Sequence, residues 1–150
     1  MSGPALLETR VGAVKPHRSK LLIIDDDNVH RMIVRKFAAE LHFDVSQAGS
    51  LEHAIALLDK EPFDCITLDL SLHAEEGINI LRHLWSGGRK IPVLIISGAD
   101  EEKRAHTTRH AEAMNFQVLH VVKKPLDIKA LRQALAELRY FVEINRGGKS

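Results

Sequence analysis

A doubly wound α/β fold around a parallel sheet is what this sequence predicts, and three observations carry the prediction. Short strand-like segments recur five times along the chain, and four of them end on aspartate, Ser-Gly or Lys-Lys-Pro. Between them the apolar spacing shifts to the helical period, so strands and helices alternate. The runs Leu21-Leu22-Ile23-Ile24, Cys65-Ile66-Thr67-Leu68 and Val93-Leu94-Ile95-Ile96 are near-continuously apolar, as strands covered on both faces must be.

The elements follow in order. The first strand, Leu21 to Ile24, stops at Asp25-Asp26-Asp27. From Asn28 a helix is predicted, with Val29, Ile33, Phe37 and Leu41 on one face and Met32 beside them. Phe43 to Ala48 reads as a strand, and Ser50 as the N-cap of a helix burying Ala54, Leu57 and Leu58. The third strand runs into Asp69. After a loop over 70–76, a helix carries Ile78, Leu81, Leu84 and Trp85, the last expected to pack while partly exposed. Pro92 opens the fourth strand and Ser97-Gly98 ends it. Residues 100–114 read as a helix poor in apolar groups, and Phe116 to Val122 as the fifth strand. Asp127 then caps a last helix with Ile128, Leu131, Leu135, Leu138 and Val142 facing inward. Residues 1–19, a mixture of Gly, Pro and charge without a period, are expected to be disordered or loosely docked. The domain is expected over 20–144, with 145–150 a flexible tail.

Composition narrows the function. The chain has 150 residues, 45% of them hydrophobic and 27% charged, which suits one soluble domain. Basic residues number 21 and acidic ones 20, with no run of five basic residues. That balance gives no general attraction to nucleic acid or to an anionic membrane. The single cysteine, Cys65, can form no internal disulfide and is expected to be a packing residue. No signal-peptide pattern is present, and no apolar stretch approaches the ~20 residues of a membrane span, so a cytoplasmic location is expected.

In such folds ligands sit beyond the carboxyl ends of the strands, at the switch point in strand order. Those ends carry Asp25-Asp26-Asp27, Asp69, Ser97 and Lys123-Lys124-Pro125. Carboxylates gathered on one rim need a cation, or one of them must stay protonated. Hard oxygen ligands with room for water suit Mg²⁺. Attack by a carboxylate on phosphorus gives an aspartyl phosphate, whose oxygens Lys124 can pair and the Ser97 hydroxyl can donate to.

These residues resemble the response-regulator receiver family of two-component systems, over about Lys20 to Val142. The motifs are Ile24-Asp25-Asp26, Leu68-Asp69-Leu70, Ile96-Ser97-Gly98 and Lys124-Pro125, in order on successive strand ends, with Gly77 beyond Asp69. The resemblance implies a flavodoxin-like five-stranded parallel sheet of order 2-1-3-4-5 with five helices. It also implies Asp69 as phosphoacceptor, Asp26 as a direct Mg²⁺ ligand, Asp25 as a ligand through water and the Ser71 carbonyl as the backbone ligand. Ser97 and Lys124 would meet the phosphoryl group, and Asp27 would be a solvated bystander where a negative charge suits the helix dipole. The partners implied are a histidine kinase or histidine phosphotransfer protein and a downstream protein, without direct nucleic-acid or membrane contact. A homodimer through the helix 4–strand 5–helix 5 face is a further expectation. Such a domain assists its own phosphorylation and dephosphorylation and is not an enzyme acting on another substrate. The output is expected to lie in a partner protein or in a further domain.

Three departures stand out. Leu72-His73 replaces the family's common hydrophobe-Pro, Glu75-Glu76 precede Gly77, and Val121 stands where Tyr or Phe is usual. The stretch from Ser97 to Lys124 is also longer than in the chemotaxis member of the family. A signal is therefore expected to leave through the 97–99 turn and the fourth helix. Two rival readings use the same residues. Asp25-x-Asp27-x-Val29 fits the signature of haloacid-dehalogenase-type phosphatases, and a pseudo-receiver would keep the fold without phosphorylation. Glu102, His106 and His110 are expected to form a solvated helix face. The basic residues from Arg31 to Lys36 read as the solvated face of the first helix, which the resemblance equally implies as a docking face for the histidine donor protein.

Overall fold

The structure is a computed structural model that describes residues 18–69, 74–97 and 101–147. Ten elements alternate strictly: β1 (Lys20–Ile24), α1 (Asn28–Glu40), β2 (Asp44–Ala48), α2 (Leu51–Lys60) and β3 (Cys65–Asp69). They continue as α3 (Ala74–Ser86), β4 (Val93–Ser97), α4 (Glu101–Ala113), β5 (Val118–Lys123) and α5 (Ile128–Gly147). All strand pairs are parallel and the sheet order is β2-β1-β3-β4-β5, so β3 is central, as expected.

Alternation along the strands divides the core in two. Leu22, Ile24, Ile66, Leu68, Val93 and Ile95 pack with Ala54 and Leu58 of α2, Ile80, Leu81 and Leu84 of α3, and Ala111 of α4. On the other face Leu21, Ile23, Cys65, Leu94 and Ile96 meet Val34, Phe37 and Ala38 of α1 and Leu131, Leu135, Leu138 and Val142 of α5. Cys65 is fully buried, and burial pushes its thiol far above the ordinary range, so it is a packing residue.

Helix ends follow local chemistry. The Asp27 carboxylate accepts from the N–H groups of Val29 and His30, the Ser50 hydroxyl from His53, and Asp127 from Lys129 and Ala130. Gly88, at φ 75°, lets the chain turn off α3, with the Arg89 N–H bonded to the Leu84 carbonyl.

Four expectations need correction. Val29 and Met32 are each 60% exposed, and the buried stripe of α1 is Val34, Phe37 and Ala38. Four residues make slightly more than one helical turn, so an every-fourth pattern drifts about 40° per step and about 120° from Val29 to Leu41. Ile128, in the first turn of α5, points outward as well. Residues 145–147, expected in a flexible tail, continue α5, and Arg146 is 3.0 Å from Asp64. His106 and His110 are half-buried rather than fully solvated, their rings edge-on at 4.5 Å. The expectations for residues 1–17 fall outside the described residues, and no helix among the described residues is long and apolar enough to cross a membrane.

Candidate functional site

Register brings the predicted residues to one rim. Ile24 pairs with Leu68, so Asp25 and Asp69 follow at the same height on neighbouring strands. Asp69 pairs with Ile96 and Ser97 with Lys123, so Ser97 and Lys124 stand one step beyond on the next two strand ends. A small cleft of about 40 Å³ opens there, lined by Asp25, Asp26, Asp69, Gly49, Ser50, Leu51 and Gly77 with Ile24, Leu68 and Ile80 below.

Carboxylate oxygens of Asp25, Asp26 and Asp69 lie within 4.8 Å of one another. Asp25 is buried and Asp26 exposed. The Lys124 ammonium, its side chain only 10% exposed, sits 3.2 Å from Asp69 Oδ2 and 3.6 Å from Asp25 Oδ2. This one cation therefore bridges two strand-end carboxylates. Even so, Asp25 holds its proton well above the usual carboxylate range. Burial is the main cause, and a hydrogen bond with the Asp69 carboxyl adds to it. The Asp27 N–H and the Lys124 charge oppose the rise. The donor set thus fits a hard divalent cation: three clustered carboxylates, one of them buried and reluctant to ionise, gain from added positive charge.

A model of the response regulator receiver domain matches residues 21–136. The chain belongs to that family. As a receiver domain of two-component signalling it has many relatives. Response regulator protein PilR of Pseudomonas aeruginosa is 27% identical over 119 residues, which are 79% of this chain and 26% of PilR. Regulatory protein VirG of Agrobacterium tumefaciens is 27% identical over 124 residues, 83% of this chain and 43% of VirG. The chain thus spans about a quarter of PilR and less than half of VirG. Among solved structures, a response regulator from Colwellia psychrerythraea superposes with a TM-score of 0.71 at 22% identity, covering 83% of this chain and 98% of that one. Vibrio cholerae chemotaxis protein CheY4 gives 0.68 at 18% identity, covering 81% and 99%. At such identities these likenesses show the fold.

Within this receiver, Asp25, Asp26, Asp69 and Lys124 converge as the sequence predicts. Ser97 ends β4 at the same rim, though its side chain, like that of Val121, lies outside the described residues. Ser71 and the Leu72-His73 departure lie outside them too. Asp27 is no bystander. It caps α1, the N–H groups of His30 and Val29 hold its carboxyl below the ordinary range, and His30 Nδ1 is 3.4 Å from it. An aspartate directly before a helical run is the signal that could have found this cap. Arg31 also leaves the solvated face on which Arg35 and Lys36 remain, and donates to the Asp25 carbonyl at 2.6 Å. A bond that returns across six residues to a backbone oxygen has no sequence signature.

Proposed function

We propose that this receiver takes a phosphoryl group onto Asp69 from the phosphohistidine of a histidine kinase or phosphotransfer protein. The observation that carries the reading is the Lys124 ammonium at 3.2 Å from Asp69 Oδ2, at the end of the central strand and beside the two other carboxylates. In the step, an Asp69 oxygen attacks phosphorus, the bond from phosphorus to the donor imidazole breaks, and the imidazole leaves with the electron pair. The acyl phosphate that forms adds negative charge beside Lys124, which is already in place to meet it. The Ser97 hydroxyl would donate to a second phosphoryl oxygen. Asp25, Asp26, Asp69 and the Ser71 carbonyl would hold Mg²⁺, which when bound supplies charge neutralisation at the phosphoryl oxygens.

The domain on this reading acts in the cytoplasm, assists its own phosphorylation and dephosphorylation, and passes the change to a downstream protein. The rival phosphatase reading needs Asp27 as an acid, but its carboxylate already accepts two N–H groups as the α1 cap. Asp69, with no task in that reading, has the ammonium contact. Incubation with acetyl phosphate and Mg²⁺, followed by intact mass, tests the choice. One phosphoryl addition is expected in the wild type, none in Asp69→Asn, and a weaker addition in Asp25→Asn. Labelling that survives in Asp69→Asn and disappears in Asp25→Asn would reverse the assignment.

A further inference from the structure

We infer that Arg31 is a positioning residue of the phosphoacceptor site, fixing the Asp25–Asp26 turn in the orientation that receives the divalent cation. The inference rests on the reading that Asp25 and Asp26 hold Mg²⁺. Asp25, Asp26 and Asp27 crowd three acidic side chains into one turn, so the bonds that orient that turn matter to the site. Its ties are specific. The Asp25 N–H donates to the Ala48 carbonyl at 3.1 Å, and the Asp27 N–H donates to Asp25 Oδ1 at 2.8 Å. Neither of these fixes the peptide that links Asp25 to Asp26. Arg31 does: its Nη1 donates to the Asp25 carbonyl, the oxygen of that peptide, at 2.6 Å.

The guanidinium is itself held. Its Nη2 donates to Asn28 Oδ1 at 3.1 Å, while the backbone N–H of Arg31 makes the first helical bond of α1, to the Asp27 carbonyl at 3.0 Å. A planar fork serves both oxygens at once, whereas an ammonium is a point donor without that geometry. Gly49, at the end of β2 and on the wall of the cleft, provides the seat. A Cβ built there would lie 2.9 Å from Nη1 and 3.4 Å from Cζ, so any side chain displaces the guanidinium. Arg31 bonds a carbonyl and an amide oxygen rather than a carboxylate, so its role is orientation more than neutralisation.

The test is a Mg²⁺ titration followed by backbone amide shifts, on wild type, Arg31→Ala, Arg31→Lys, Gly49→Ala and the double variant Arg31→Ala/Gly49→Ala. Melting of each without metal records effects on the fold. Arg31→Ala is expected to raise the Mg²⁺ Kd roughly tenfold, and Arg31→Lys to resemble it because the charge returns without the fork. Gly49→Ala should weaken binding in the wild-type background and do nothing further once Arg31 is gone. That non-additivity is the mark of a shared contact and not of general destabilisation. Unchanged affinity in Arg31→Ala, full affinity in Arg31→Lys, or additive losses in the double variant would each overturn the role. A wild type that binds no Mg²⁺ would instead remove the proposed function on which it rests.

Discussion

The two helices that flank the acidic rim, α1 and α4, are held to the sheet on opposite terms. α1 is capped by Asp27, buries Val34, Phe37 and Ala38, and sends Arg31 back to the Asp25 carbonyl. Arg132 of α5 lies over the Phe37 ring at 4.6 Å and Arg139 donates to the Leu41 carbonyl just past the helix end, so the far side of α1 is tied too. α4 has the same length but no apolar stripe among its described residues. Its buried side chains among those described are Thr107 and Ala111, and the Thr107 hydroxyl has no hydrogen-bond partner among the described residues. Among the described residues, the edge of the site formed by α1 is therefore tied at more points than the edge formed by α4. Stability is not uniform across a fold, and switching elements come from the weakly packed end of the range. The contrast suits the proposed function, in which the carboxylates would keep a metal site fixed while a neighbouring surface changes.

The contrast breaks most visibly through the core. Phe37→Ala removes a ring buried between α1 and α5 and is expected to cost about 3–5 kcal/mol in chemical denaturation. A cost under about 1 kcal/mol would mean that α1 is no better anchored than α4.

Metal comes next. A cation that binds only the native state stabilises it by about 2.7 kcal/mol at a hundredfold excess over its Kd. Wild-type melting should rise accordingly with Mg²⁺, and the response should shrink in Asp26→Asn. Protons act on the same edge. Because the folded pKa of Asp25 is raised, the native state holds a proton that the unfolded chain releases near its ordinary value of about 3.9. The stability from that proton is complete below the unfolded pKa and is lost as pH rises through the folded one. Metal-free protein should therefore weaken as pH climbs from about 4 through this range. Asp25→Asn should flatten the slope, and a slope unchanged in that variant would place its origin elsewhere.

Smaller effects separate the helix ends and the two faces. Asp27→Ala should lower Tm by much less than Phe37→Ala does, and Asp27→Ser should restore most of the loss, since a hydroxyl also caps. If serine fails where aspartate succeeds, the contact with His30 matters more than the cap. On α4, Thr107→Val removes a buried hydroxyl with no hydrogen-bond partner among the described residues, and unfolding should show a change between zero and about 1 kcal/mol in the stabilising direction. A clear destabilisation would reveal that the hydroxyl contributes to holding α4.

Much of the fold and of the rim is legible in the order of residues. Continuous apolar runs identify strands covered on both faces, and a strand's last residue must lie at the sheet edge, so Asp25, Asp69, Ser97 and Lys124 can be placed on one rim from sequence alone. The helix stripe is less legible, because an every-fourth spacing looks regular in a string of letters while it turns away from the core in space. That is why Val29 and Met32 read as buried and are exposed. The tail misleads for a related reason: Asn145 to Gly147 has little to suggest a helix, and it is held by Arg146 reaching Asp64 across the bottom of the sheet.

The sequence by itself determined the class of fold, the family and the residue types at the rim, because those depend on periodicity and on the order of motifs along the chain. Tertiary structure alone decided that Lys124 bridges Asp25 and Asp69, that burial raises the Asp25 carboxyl above the ordinary range, and that Arg31 binds the Asp25 carbonyl over Gly49. Each of these depends on distances between groups remote in sequence or on the withdrawal of water around them, and neither quantity is written in the order of the residues.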